Sequence, residues 1–159
     1  KTQEKTPLVL VLDNVRSALN VGSAFRTADA FALQKIYLTG ITATPPHREI
    51  LKTALGSTET VAWEYFADVS ACIQKLKNEG CQVLAVEQAE GSIPLQNFEN
   101  QPGRAIALIF GNEVTGVSEA AMEAVDGCLE IPQFGSKHSL NIAVCVGIVA
   151  WELFKKMRL

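Results

Sequence analysis

Apolar positions along this chain alternate between two rhythms, one that suits strands and one that suits helices. Leu8-Val-Leu-Val-Leu12 is an unbroken apolar run of strand length, the pattern of a parallel strand buried on both faces. Between Asn20 and Phe31 the period lengthens. Val21, Ala24, Phe25, Ala28 and Phe31 or Ala32 gather on one side of a helix that Asn20 or its neighbours would cap. Lys35-Ile-Tyr-Leu-Thr39 predicts a second strand, ended by Gly40. Thr44-Pro-Pro-His-Arg48 predicts a rigid turn into a helix that runs to Leu55 and closes at Gly56. Further on, Val61–Phe66 reads as a strand, Val69–Asn78 as a helix stopped by Gly80, and Gln82–Val86 as a strand. Polar Gly91–Gly103, with Pro94 and Pro102, reads as one long surface loop. The strand Ala105–Phe110 follows, then a helix near Ser118–Val125 capped by Ser118, the strand Cys128–Ile131, and a helix from about Ser139 to Lys156. Strands alternating with helices imply an α/β domain whose parallel sheet is covered by helices on both faces.

No internal repeat or linker interrupts this pattern, and 159 residues predict a single domain over 1–159. A hydrophobic fraction of 48% with 19% charged residues belongs to a folded chain, not a disordered one. The longest apolar stretches are strand-sized. The final helix is kept amphipathic by Ser139, Asn141 and Glu152, so no membrane span is expected. Lys1-Thr-Gln-Glu-Lys-Thr-Pro7 lacks the apolar core of a signal peptide. Cys72, Cys81, Cys128 and Cys145 show no C-x-x-C spacing, so free thiols in a reducing cytoplasm are expected, with neither a metal site nor a disulfide framework. Cys145, inside an apolar helix, reads as packing and not as a nucleophile.

Charge narrows where a polyanion would bind. The net charge is −3, but residues 1–80 hold nine Lys/Arg against eight Asp/Glu, and residues 81–159 five against nine. A nucleic-acid surface must therefore be local, built from the N-terminal half and the Lys155-Lys156-Met-Arg158 tail. Two nucleotide folds are excluded. The eleven glycines contain no G-x-G, and Val117 stands where a P-loop with Gly111 and Gly116 would need lysine.

Three segments carry the candidate chemistry: Asn20-Val-Gly-Ser-Ala-Phe-Arg26, Phe110-Gly-Asn-Glu-Val-Thr-Gly116 and Ile131-Pro-Gln-Phe-Gly-Ser-Lys-His-Ser-Leu-Asn141. Each falls where a strand hands over to a helix. Read alone, the first is a cap with a surface arginine, the second a glycine-bounded turn, and the third a loop into a helix of small residues. His138 beside Ser139 suggests a hydrolase pair, yet the G-x-S-x-G elbow is missing. His47, Arg48 and Lys52, before Thr53-Ala-Leu-Gly-Ser57, form a basic stretch that reads equally as a solvated helix start or as an RNA contact.

In their order and spacing the three segments resemble the motifs of the SpoU/TrmH family, RNA ribose 2'-O-methyltransferases of the SPOUT class. The resemblance covers Leu8 to Glu152. It implies a C-terminal trefoil knot, a homodimer, S-adenosylmethionine as cofactor, and tRNA or rRNA as partner, with no accessory RNA-binding domain in this chain. It places Asn20, Arg26, Glu113, Ser139 and Asn141 in the catalytic pocket, and Gly111, Ile131 and Leu140 at the cofactor. His138 joins His47, Arg48 and Lys52 as a candidate RNA contact. Gln133 departs from the family, which usually carries Met there. The implied reaction moves a methyl group to a ribose 2'-hydroxyl. In this reading Arg26, held by Asn20 and Glu113, clamps the neighbouring phosphate, and a phosphate oxygen, Glu113 or water takes the proton. Two other readings are a SPOUT-fold RNA-binding or assembly factor without turnover, and a flavodoxin-like small-molecule domain.

Overall fold

A computed structural model describes residues 4–159, so Lys1, Thr2 and Gln3 of the polar start lie outside the described residues. The strands are β1 Thr6–Asp13, β2 Leu33–Thr39, β3 Trp63–Phe66, β4 Gln82–Val86, β5 Ile93–Pro94, β6 Ile106–Phe110 and β7 Gly127–Glu130. They form one sheet in the order β3-β2-β1-β6-β4-β7-β5, and every pair in it is parallel. β1 lies between β2 and β6, with Leu10 opposite Ile36 on one side and Leu108 on the other. A strand in that position has no solvent face, which is why its apolar run is unbroken.

Period-two alternation sends the run to two different cores. Leu8, Leu10 and Leu12 pack with α1 (Ala18–Ala30), α2 (Arg48–Ala54) and α5 (Ile142–Arg158), through residues such as Phe25, Ile50 and Val149. Val9 and Val11 face the opposite layer, α3 (Val69–Asn78) and α4 (Glu119–Ala124), through Ile73, Leu76 and Ala121. Each fully buried aliphatic side chain contributes about 1.5–3 kcal/mol, so a polar residue within Leu8–Leu12 would damage both layers.

Three boundaries differ from expectation. α1 begins at Ala18 because Ser17, not Asn20, is its cap: the Ser17 hydroxyl accepts from the Asn20 N–H at 3.2 Å. α5 begins at Ile142, leaving Ser139 and Leu140 in the loop, because the Asn141 side-chain oxygen accepts from the Ala143 N–H at 2.8 Å. The stretch Gly91–Gly103 is not all loop. It holds β5 and a single 3-10 turn, Leu95–Asn97, whose Leu95 is buried together with Phe98.

The strand order turns around between β1 and β6. After β1 the chain enters α1 on one face, and after β6 it enters α4 on the other, so a crevice opens beyond the carboxyl ends of these strands. All three candidate segments follow strands that end at this edge.

Candidate functional site

The loop after β6 is closed upon itself. The Asn112 N–H donates to the Gly116 carbonyl at 3.0 Å, and the Gly116 N–H returns to Asn112 at 2.9 Å. The Asn112 side-chain oxygen accepts from the N–H groups of Val114 (2.8 Å) and Thr115 (3.0 Å), and its amide donates to the Asn14 carbonyl at 2.8 Å. A Cβ at position 111 would collide with the backbone of Gly116 and Val117. At position 116, where φ is +76°, a Cβ would collide with the Glu87 carboxylate. These glycines let the loop's two ends meet each other.

Glu113, at the tip, fastens this loop to the start of α1. One carboxylate oxygen accepts from the Arg16 N–H at 2.8 Å, and the other from the Ser17 N–H at 2.9 Å and the Asn20 amide at 3.2 Å. Partial burial opposes its ionisation, but the backbone donors and the Asn20 amide outweigh this and hold the carboxyl below the usual carboxylate range. A carboxylate so stabilised, with three donors engaged, is a weak proton acceptor. It is well suited to positioning.

The third segment crosses from β7 to α5. The Gln133 side-chain oxygen accepts from the Leu140 N–H at 3.1 Å, which pins the loop's two ends together. Between this loop and the β6 loop lies an open cleft of about 670 Å3. Gly111, Glu113, Ile131, His138, Ser139, Leu140 and Asn141 all line it, and Asn20 meets it through Glu113. Val86, Phe110, Ile131 and Cys145 supply apolar wall, while Glu87, Glu113 and Glu130 bring three carboxylates against the single lysine, Lys137. Such a cleft suits a ligand with a flat apolar part and a positive charge. Burial pushes the Cys145 thiol up to about 11, which removes it as a nucleophile near neutral pH. Among the described residues no hydrogen bond joins His138 to Ser139, and no group of His, Cys, Asp and Glu is arranged to hold a metal ion.

Arg26 is elsewhere. Six residues along a helix separate it from Asn20 by roughly 120° around the axis. It is exposed and lines a second, shallower cleft of about 480 Å3 with Ser23, Thr27, Lys52, Thr53 and Gly147 of α5. The expectation that Asn20 and Glu113 hold Arg26 is therefore corrected: the Asn20 amide is engaged by Glu113, and neither residue bonds Arg26 among the described hydrogen bonds. His47 caps α2, its Nδ1 accepting from the Glu49 N–H at 3.1 Å, and Arg48 is exposed at the helix start. Lys52 pairs with Glu49 at 3.1 Å. The basic tail is occupied internally. Lys155 and Lys156 pair with Glu152, and Arg158 donates to the Glu4 carbonyl at 3.0 Å.

Three residues of this architecture escaped the sequence reading: Ser17, Glu87 and Glu130. Ser17 precedes an apolar helical period and carries a readable capping signal. The carboxylates have none, because Glu87 bonds the Val117 N–H thirty positions away and Glu130 accepts from the distant Ser92 hydroxyl.

Residues 7–151 match the SpoU rRNA Methylase family. A 23S rRNA (guanosine-2'-O-)-methyltransferase from Burkholderia sp. is 31% identical over 156 residues, which make up 98% of this chain and 62% of that protein. The structure of an AdoMet-bound rRNA methyltransferase from Sinorhizobium meliloti superposes with a TM-score of 0.87 at 29% identity, covering 96% of this chain and 57% of that one. A second structure, concerned with the 2-OH methylation of C/U34 on tRNA, gives a TM-score of 0.82 at 27% identity and covers 95% and 97% of the two chains. The chain thus spans less than two thirds of the length of the first two relatives.

Proposed function

The chain belongs to the SpoU rRNA methylase family, and from that premise we propose that it binds S-adenosylmethionine in the larger cleft and methylates a ribose 2'-hydroxyl of tRNA or rRNA. The observation that carries this reading is the convergence of the second and third segments on one cleft at the carboxyl ends of β4, β6 and β7, with Glu113 tying in the first. The cleft's residues fit the cofactor: apolar Val86, Ile131 and Leu140 for its adenine, and carboxylates for its positive charge. When bound, S-adenosylmethionine supplies an electrophilic methyl group on a cationic sulfur.

This chain's own residues provide placement. The self-closed β6 loop and the β7 loop, its ends joined by the Gln133–Leu140 bond, form the two walls between which a bound hydroxyl would be placed for an in-line displacement. Asn141 spends its side-chain oxygen on the α5 cap and keeps two amide donors, while Ser139, just before it, lines the same cleft. Glu113 positions and does not accept the proton, which passes to a substrate phosphate oxygen or to water. Arg26 clamps a phosphate beside the target ribose through its planar fork and stabilises the developing alkoxide, with Lys52 in the same shallow cleft.

Arg26 and the larger cleft belong to one site in a homodimer. α5 begins at the larger cleft, with Asn141, Ile142 and Cys145, and reaches Arg26's cleft at Gly147. Between and beyond them Val144, Ile148 and Trp151 leave an apolar stripe, 50%, 38% and 44% exposed, that a second copy would cover. The trefoil knot implied by the resemblance accompanies this arrangement. Among the described residues no helix is long and apolar enough to cross a membrane, and the four free cysteines support a cytoplasmic location.

Calorimetry with S-adenosylmethionine, followed by transfer of labelled methyl from it to tRNA and rRNA, tests the proposal. Saturable binding and alkali-resistant 2'-O-methyl dinucleotides are expected. Binding without transfer to any RNA would favour the assembly-factor reading, and absence of binding would end the proposal.

A further inference from the structure

Glu87 stands one residue beyond β4, and its N–H donates to the Leu129 carbonyl of β7 at 3.0 Å. Its side chain turns onto the β6 loop. Oε2 accepts from the Val117 N–H at 2.9 Å and lies against Gly116, in the space a Cβ there would fill. Glu87 is half-buried and lines the larger cleft, yet Oε1 has no hydrogen-bond partner among the described residues. Holding Val117 needs only one neutral acceptor. A carboxylate, with about four lone-pair sites, is more than that task requires, and Oε1 is left accessible and free to accept in the cleft.

The surplus acceptor points at a ligand. Glu113 and Glu87 hold opposite ends of the same loop, the former at the Asn20 side and the latter between the carboxyl ends of β4 and β7. On the reading above, the reacting methyl faces Asn20, Ser139 and the arriving RNA. Glu87 is then at the nucleoside end, near the apolar Val86 and Ile131 that would flank the adenine. The donors between adenine and sulfur are the two ribose hydroxyls. We propose that Glu87 is a cofactor-binding residue whose free carboxylate oxygen accepts hydrogen bonds from the adenosyl ribose diol of S-adenosylmethionine. This rests on the methyl-donor reading and adds a residue that none of the three segments contains.

The test is a calorimetric cycle between protein and ligand. Wild type, Glu87→Gln and Glu87→Ala are titrated with S-adenosylmethionine, S-adenosylhomocysteine and the 2'-deoxyadenosyl analogue of the latter. Loss of a charge-assisted hydrogen bond should weaken binding roughly 10- to 100-fold. Glu87→Gln, which keeps an acceptor for Val117, should therefore bind the first two ligands roughly 10-fold more weakly and to equal degree. The deoxy analogue should cost wild type a similar factor and the variants less than about 2-fold. Three results overturn the inference: a deoxy analogue that binds wild type as tightly as its parent, an equal deoxy penalty in wild type and variants, or a Glu87→Gln defect confined to the sulfonium ligand, which would make the contact one of charge. A wild type that binds neither parent ligand overturns the methyl-donor reading itself, and is distinguishable because no variant is needed to see it.

Discussion

Replacing Glu113 with Gln tests whether one carboxylate joins the first two segments. The wild-type side chain accepts three hydrogen bonds, at 2.8, 2.9 and 3.2 Å. Glutamine can turn its oxygen toward Ser17 and Asn20, but its NH2 then confronts the Arg16 N–H, donor against donor. A hydrogen bond to a charged group is worth about 1.5–3 kcal/mol when sheltered. Glu113 is substantially exposed, so solvent screening reduces the expected net loss to about 1–2 kcal/mol. In a domain of this size that lowers the melting temperature by roughly 3–6 °C. The pH dependence has a definite sign. Because the folded carboxyl titrates below its ordinary value of 4.5, its stabilisation is complete above that value and disappears as pH falls through the lower, folded one. Denaturant melts of wild type and Glu113→Gln should therefore differ at pH 7 and converge as pH falls below 4.5 and through the lower, folded value. Equal stability at pH 7, or a gap that persists unchanged in acid, would refute the staple.

Gly111→Val forces a side chain into the backbone of Gly116 and Val117, so calorimetry should find S-adenosylmethionine binding abolished; retained affinity would mean that this loop is not the cofactor wall. Arg26→Lys keeps the charge but loses the planar fork. It should lower kcat by about 10-fold or more with cofactor affinity within about 2-fold of wild type, and normal turnover in a methyl-transfer assay would remove the phosphate-clamp role. Ile148→Asp places a charge in the exposed stripe of α5 and should convert a sedimenting dimer to monomer; an unchanged sedimentation coefficient would leave that stripe without a partner.

Much of the fold was legible because local and global preferences agree. The buried run at Leu8–Leu12, the helix Val69–Asn78 stopped by Gly80, and the strand Gln82–Val86 all form where their periodicity places them. The boundaries that shifted are capping decisions between neighbouring polar residues. Ser17 and Asn20, or Ser139 and Asn141, are both competent caps, and in the folded chain Ser17 and Asn141 are the ones that accept a first-turn N–H. β5 was hidden because two residues carry no period, and its existence depends on pairing with β7.

The site was legible to a different depth in each segment. Gly111, Glu113, Ile131, Ser139, Leu140 and Asn141 share one cleft because their segments leave parallel strands at the same sheet edge. Arg26 does not join them within one chain, since its position roughly 120° around the helix from Asn20 turns it toward α2 and α5. Glu87 and Glu130 were invisible for a simpler reason. Their partners are 30 and 38 residues distant, and a lone glutamate after a strand looks like any solvated residue.

The measurement that bears most directly on the proposed activity is mass-spectrometric mapping of 2'-O-methyl groups in tRNA and rRNA from cells with and without the gene. One ribose methyl should vanish on deletion and return with the wild-type gene but not with Gly111→Val. A complete, unchanged set of 2'-O-methyl marks in the deletion strain would contradict ribose methylation as this protein's function.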